Sequence, residues 1–244
     1  MDGRDDPVLS IAVLYPDLLG TYGDGGNALA LAARARARGV DVEVAEVTIG
    51  AELPTASLYL LGGGEDGPQR LACDLLGESG FVERVGAGAF VVAVCAGLQI
   101  LGTAFSVEGD ASYPGLGLVD ATTTRGPRRS VGDMATLVGG RMLVGFENHG
   151  GVTVLGDGLE PLGDVVLGRG NDGLVDGFRS PRLWATYAHG PVLAQNPWLA
   201  DEILSEVLGQ TLPPWASVAD QLYEQRCALV NTRRSDADRT RGRR

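Results

Sequence analysis

A chain of 244 residues accommodates one large domain or two small ones, and 44% hydrophobic with 21% charged residues exclude wholesale disorder. A net charge of −11 argues against a nucleic-acid partner, and no apolar run reaches the ~20 residues of a membrane span. The acidic N-terminus lacks the basic and apolar regions of a signal peptide, so a cytosolic protein is expected.

In chain order, Ser10–Leu14 reads as a buried strand that ends at Tyr15-Pro16. Asn27–Arg38 carries apolar residues at helical spacing and stops at Gly39. The alternation over Val40–Val47 predicts a strand, and Leu58–Leu61 another, running straight into Gly62-Gly63-Gly64. Helical pieces are expected at Gln69–Leu76 and Phe81–Val85. Ala89–Val94 reads as a fully apolar strand, followed at once by Cys95-Ala96-Gly97 and a helix to about Leu101. Strands and helices that alternate at these spacings predict βα units and a mainly parallel sheet.

From Gly115 to Arg179 the chain turns Gly-, Asp-, Thr- and Val-rich, with short alternating runs at Met142–Phe146, Val152–Leu155 and Val165–Leu167. These predict antiparallel strands and hairpins appended to the parallel sheet. Leu183–Tyr187 is a further strand, ending at His189-Gly190-Pro191. Trp198–Leu208 and Ala216–Leu229 read as amphipathic helices on either side of a Pro213-Pro214 break. With no internal repeat and no linker, one domain is expected. Six Arg and two Asp in the last twelve residues give a +4 tail on a −15 body, read as a solvated disordered end or a docking segment for an acidic surface.

The chemistry concentrates at Val91–Gln99. A strand that ends in a nucleophile and turns through small residues into a helix makes a nucleophile elbow, and Ala93, Ala96 and Gly97 supply the small neighbours. The helix N-terminus favours thiolate at Cys95. A buried core cysteine fits the same local pattern. Cys73 and Cys227 read as helix-face residues, and three widely spaced Cys suggest neither a disulfide framework nor a metal knuckle. A cysteine nucleophile needs a base. Of the two His in the chain, His189 follows an apolar strand, where a parallel sheet carries its functional loops, and His149 sits in the Gly-flanked turn GFENHGG. Backbone amides of Gly63 and Gly64, joined by that of Ala96, are candidate donors to a developing oxyanion.

LLGGGEDGPQ, AVCAGLQILG and TYAHGP, in that order, resemble the class I (triad-type) glutamine amidotransferases, in the branch of the cobyric acid synthase-like glutaminase domains. TYGDGGN, RSVGD and GFENHGG further resemble the GatD-type glutaminase subunits of lipid II isoglutaminyl synthase. The resemblance covers Ser10 to Pro191. It implies a flavodoxin-like α/β domain over 10–210, with a mainly parallel central sheet flanked by helices and additional antiparallel strands. An N-terminal extension (1–9), a C-terminal helix (211–232) and the disordered Arg-rich tail (233–244) would surround it.

Carried over, Cys95 is the thiolate that attacks the side-chain amide of L-glutamine, and His189 is the acid and base. Most of the class orients that His by a Glu two residues on, and here the position is Pro191. Asp24 of TYGDGGN matches a residue implicated in GatD-type function; it would stand in for that Glu, shape the partner interface, or simply cap the following helix. Gln99 matches a position lining the glutamine pocket. Arg129 matches a substrate-binding Arg, with Arg128 as its rival, and a guanidinium fork suits the free carboxylate of glutamine. Glu147, Asn148 and His149 would form a supporting polar network.

The chain has no G-x-x-x-x-G-K-[ST] phosphate loop and no Cys cluster for a metal. No cofactor is expected in it. The resemblance implies a heterodimer with a MurT-type, Mur-ligase-like subunit that holds ATP and Mg. It further implies a cytoplasmic placement that meets the inner membrane face through lipid II. A glutaminase of another pair, such as a cobyrinate type, and an inactive amidotransferase-fold regulatory subunit stay open.

Overall fold

Strands apolar on both faces need cover on both faces, and that requirement organises the molecule. The computed structural model describes residues 9–107 and 111–241. The expected N-terminal extension thus lies outside the described residues except for Leu9, which opens the first strand. β1 (Leu9–Leu14) is followed by the short α1 (Pro16–Leu19), α2 (Gly26–Arg36), β2 (Val42–Val47), β3 (Leu58–Leu61), α3 (Asp66–Glu78), α4 (Phe81–Gly86), β4 (Phe90–Val94) and α5 (Ala96–Leu101). The chain continues with β5 (Ala104–Ser106), β6 (Ser112–Pro114), β7 (Ala121–Val138), β8 (Arg141–Leu155), β9 (Gly163–Leu167), β10 (Val175–Asp176), β11 (Phe178–Ser180) and β12 (Leu183–Thr186). It closes with α6 (Val192–Gln195), α7 (Pro197–Leu208) and α8 (Val218–Arg241).

The main sheet runs β11-β12-β4-β3-β1-β2, parallel except for β11. Every residue of β3, β4 and β12 is buried, whereas β2, at the edge, is largely exposed. Glu43 and Glu46 on that edge discourage further strand pairing. β4 and β12 are neighbours in register, so the residues that follow them, Cys95 and His189, leave the sheet at the same end. That end is where open α/β sheets place their ligands.

The expected antiparallel strands and hairpin are present, but as a sheet of their own and not as an extension of the parallel one. This second sheet runs β10-β9-β7-β5-β6, with β8 paired to β7. Its longest strands, β7 and β8, have 18 and 15 residues; the runs Met142–Phe146 and Val152–Leu155 are both segments of β8, and Val165–Leu167 lies in β9. Gly139-Gly140, both at positive φ (54° and 84°), make the two-residue turn that suits the twist of a hairpin. The glycines at 145, 150 and 151 suggest strand ends in the sequence, yet glycine in a strand also marks close approach. Gly145 lies against His189 and Ala188.

One continuous apolar core spans both layers, and a small second cluster of Ala135, Val144 and Val230 underlies α8. α8 departs from its expected bounds: it begins after the Pro213-Pro214 segment and runs to Arg241, into the stretch expected to be a disordered tail. No Gly or Pro interrupts the sequence from Ser217 to Arg241, so nothing local stops the helix. Residues 242–244 lie outside the described residues. Arg34 on α2 pins this end of the chain. It is 4% exposed, forms a bidentate pair with Asp201 at 2.6 Å for each bond, reaches Asp220 at 3.3 Å and stacks on Trp215 at 5.0 Å. Among the described residues, no helix is long and apolar enough to cross a membrane.

Candidate active site

Cys95 separates β4 from α5 and adopts φ 51°, ψ −104°, a conformation that L-residues avoid. Such strain costs of order 1–3 kcal/mol and persists only where the surroundings enforce it. Here the Cys95 amide donates to the Thr186 carbonyl at 2.9 Å, and the Gly97 amide to the Gly62 carbonyl at 3.1 Å. A Cβ on Gly97 would meet Leu61 Cβ at 2.6 Å, so only glycine lets α5 start this close to β3. Cys95 is 4% exposed and lines a cavity. Cys73 is buried against the Pro114 carbonyl and Cys227 lies beside Tyr223. Neither lines that cavity.

His189 is fully buried just beyond β12, with its amide bonded to the Phe146 carbonyl at 2.8 Å. Its ring is held between Tyr22, 4.5 Å away and tilted, and Phe146, stacked at 5.4 Å. Nδ1 lies 3.2 Å from Oδ2 of Asp24, itself 3% exposed. Nε2 has no hydrogen-bond partner among the described residues. Burial pulls the imidazole pKa down, but the Asp24 hydrogen bond, followed by the Cys95 sulfur, outweighs it and raises the value to about 9. Asp24 comes from the loop that leads into α2. A Cβ on Gly26, where that loop enters α2, would meet Pro191 Cγ at 2.5 Å. The residue that replaces the usual Glu is therefore packed against the segment that brings a carboxylate in its place. Asp24 does not cap α2: the N-cap is Gly25, with no side-chain bond.

Gly63 departs from its expected part. Its amide, a candidate oxyanion donor, donates instead to Asp24 Oδ2 at 2.8 Å and so fixes the carboxylate. Gly64 lines the cavity, and Ala96 begins α5, where the first amides have no intrahelical acceptor.

Gln99 also lines the cavity, with both ends of its carboxamide engaged: Oε1 accepts from Gln69 Nε2 at 2.9 Å, and Nε2 donates to the Tyr187 hydroxyl at 3.1 Å. Arg129 reaches the cavity because β7 bulges. The pairing jumps from Arg125↔Gly151 to Ser130↔His149, leaving four residues of β7 opposite one of β8. Arg129 donates to Asn148 Oδ1 at 2.6 Å and to the Tyr22 hydroxyl at 3.2 Å, and Tyr22 donates to Glu65 at 2.7 Å. Arg128 instead lines a neighbouring cavity beside Arg169. Sequence reasoning missed Tyr22, Gln69, Tyr187 and the Arg125–Asp66 ion pair at 2.9 Å. Tyr22 stands inside TYGDGGN, Tyr187 inside TYAHGP, and Asp66 and Gln69 inside LLGGGEDGPQ, so each lies in a motif that carries the resemblance. Among the described residues, no cluster of His, Cys, Asp and Glu could hold a metal ion.

A strained cysteine with an acid-paired imidazole at its side, on a doubly covered parallel sheet, defines a thiol-dependent transferase or hydrolase site. A solved glutamine amidotransferase has the same fold: it is 24% identical, with a TM-score of 0.55, covering 82% of this chain and 98% of that one. Residues 10–197 match the CobB/CobQ-like glutamine amidotransferase domain, and the chain belongs to that family. Similar proteins include the GatD subunits of lipid II isoglutaminyl synthase (glutamine-hydrolyzing) from Streptococcus pneumoniae and Staphylococcus aureus. They are 32% and 33% identical, over 85% and 81% of this chain and 83% and 84% of theirs. Cobyric acid synthase of Pelotomaculum thermopropionicum is 34% identical over 75% of this chain, which spans only 37% of that protein.

Proposed function

We propose that the chain is the glutaminase subunit of a two-subunit amidotransferase, hydrolysing L-glutamine at Cys95 and supplying ammonia to a partner. The observation that carries this reading is Cys95, strained at the strand–helix junction and exposed to a cavity, with His189 paired to Asp24 beside it. A protonated imidazole beside a sulfur keeps the sulfur as thiolate. The thiolate attacks the side-chain amide carbon, forming a C–S bond, and the amides of Gly64 and Ala96 receive the oxyanion. His189 protonates the departing nitrogen as the C–N bond breaks, releasing ammonia. It then takes a proton from water, which attacks the thioester, giving glutamate and the thiolate again. Asp24 keeps the ring oriented and stabilises its charged form. Arg129 binds the free carboxylate of glutamine as a fork, and Gln99 shapes the floor beneath it.

The partner in this reading is a MurT-type, Mur-ligase-like subunit that binds ATP and Mg and amidates the D-glutamate α-carboxylate of lipid II to D-isoglutamine. This chain would then work in the cytoplasm, at the membrane face where lipid II is presented. Support comes from the two GatD relatives, matched over more than four-fifths of both partners in each alignment. The cobyric acid synthase relative matches over a minor part of its own length. The test is glutamate release by wild type and Cys95→Ser, each with and without the MurT-type subunit. Wild type with partner should turn over and Cys95→Ser should not, because a serine hydroxyl is far less ionised than a thiol. No glutamate from wild type in the complex would sink the glutaminase reading. Failure of the two subunits to co-elute would sink the partner alone.

A further inference from the structure

Tyr187 follows β12 directly and is fully buried. Its amide donates to Asp176 Oδ1 at 3.0 Å, and its ring stacks on that of His149 with centroids 3.9 Å apart. Backbone and ring are thus fixed independently of the hydroxyl. A phenol buried this deeply needs hydrogen-bond partners inside the protein. Gln99 Nε2 donates to it at 3.1 Å, and Thr153 Oγ1 lies 2.6 Å away. An amide nitrogen only donates, so the Tyr187 oxygen accepts from Gln99 and its single proton is left for Thr153. Thr153 in turn lies 2.8 Å from the Thr123 hydroxyl.

The chain of bonds also runs the other way. Gln99 Oε1 accepts from Gln69 Nε2 at 2.9 Å, and both carboxamides line the Cys95 cavity, whereas Tyr187 does not. The terminal torsion of a glutamine is broad and roughly two-fold, so its partners decide how the carboxamide faces. Gln69 and Gln99 belong to α3 and α5, Tyr187 to the strand end that carries His189, and Thr123 and Thr153 to β7 and β8. The hydroxyl therefore joins the two layers at the cavity wall. The β8 backbone closes over this junction: a Cβ on Gly151 would meet Gln99 Nε2 at 2.7 Å and the Tyr187 hydroxyl at 3.1 Å. With Gln99 and Tyr187 both buried, loss of the hydroxyl leaves Gln99 Nε2 short of an acceptor.

We infer that the Tyr187 hydroxyl is the positioning group of the cavity wall: it holds the Gln99 carboxamide, and through it that of Gln69, in the orientation presented to a ligand beside Cys95. Tyr187 is a positioning residue. It touches no reacting atom, so it acts on binding and leaves the proton transfers of His189 unchanged. That consequence for substrate rests on the glutaminase reading, whereas the hydrogen bond itself does not.

Side-chain amide hydrogen exchange, followed by NMR on the nitrogen-labelled full chain with Gln99→Leu to assign the signal, tests the bond without substrate. The Gln99 amide protons should exchange about tenfold or more slowly than those of the exposed Gln210, and Tyr187→Phe should remove that protection. Rapid exchange in wild type, or protection that survives Tyr187→Phe, overturns the inference. In the complex with the MurT-type subunit, Tyr187→Phe should raise the glutamine KM about three- to tenfold, the loss typical of one hydrogen bond. The change in kcat should be smaller and its pH dependence unmoved. Thr153→Val, which removes the acceptor of the Tyr187 proton, should move KM in the same direction. Added to Gln99→Leu, Tyr187→Phe should raise KM no further, because the group it positions is already gone. A fall in kcat alone, a shifted pH profile or additive effects of these two substitutions in folded variants overturns the inference. An inactive wild-type complex counts against the glutaminase reading, and the exchange measurement then decides the inference by itself.

Discussion

Asp24→Asn removes one charge from a buried pair and leaves the volume unchanged. In wild type the His189 imidazole stands at about 9 against an ordinary 6.5. At about 1.4 kcal/mol per pKa unit, that difference corresponds to about 3 kcal/mol of stability in the protonated site. Cys95 contributes to the same shift, so Asp24 alone is worth about 2 kcal/mol. The sign follows from a folded value above the unfolded one: the contribution is fully present below pH 6.5 and disappears as pH rises through about 9. Urea unfolding at pH about 6 should therefore find the variant less stable by about 2 kcal/mol, and at pH about 10 the gap should close. Asparagine can still accept the Gly63 amide, so the pH-independent loss should be small. A deficit of equal size at both pH values would refute the charge argument and leave Asp24 a mere hydrogen-bond acceptor. In the glutaminase assay the variant should lose about 10²–10⁴-fold in kcat with little change in KM, as expected when a base loses its orienting partner.

Other perturbations separate the remaining parts. Gly97→Ala places a methyl 2.6 Å from Leu61 Cβ and should cost about 1–3 kcal/mol in unfolding experiments while displacing the elbow enough to abolish Cys95 labelling. Arg129→Ala should raise the glutamine KM about tenfold or more with a smaller effect on kcat, whereas Arg128→Ala, on the neighbouring cavity, should leave both within about twofold. Asp201→Ala leaves the buried Arg34 guanidinium with Asp220 as its ionic partner, removes the Arg38 contact as well, and should destabilise the fold by about 2–3 kcal/mol, measured by urea unfolding at neutral pH.

The parallel half of the fold was legible because each of its signals is local. Leu58–Leu61 and Phe90–Val94 are apolar without interruption, as strands covered on both faces must be. The antiparallel strands were legible in kind, but their bounds and register were not, because these depend on long-range pairing. Glycines in β8 suggest breaks, and nothing in the sequence says that Gly145 must clear His189 from another layer. The same division holds at the site. Cys95 and the end of β12 are marked by strand–helix and strand–loop junctions, and the pairing of β4 with β12 brings them together. The oxyanion amides depend on which of three successive glycines points where, and Asp24 claims the middle one. That Arg129 and not Arg128 lines the Cys95 cavity likewise follows from a bulge that only the pairing with β8 reveals.

Moving the orienting carboxylate from position 191 to position 24 does more than preserve a charge. A Glu two residues after the histidine would be carried by the same strand end, whereas Asp24 lies 165 positions away in the chain and holds His189 only while the loop before α2 is in place. Tyr22, on that loop, covers the imidazole with its ring, accepts from Arg129 and donates to Glu65 through its hydroxyl. Its phenol is pushed up to about 12 by burial and by the Glu65 bond, so it stays protonated and able to donate at neutral pH. One short segment therefore sets both the protonation of the histidine and the position of the arginine at the mouth of the cavity. In the proposed reaction, a displacement of Tyr22–Gly26 would alter proton transfer at His189 and the placement of Arg129 together.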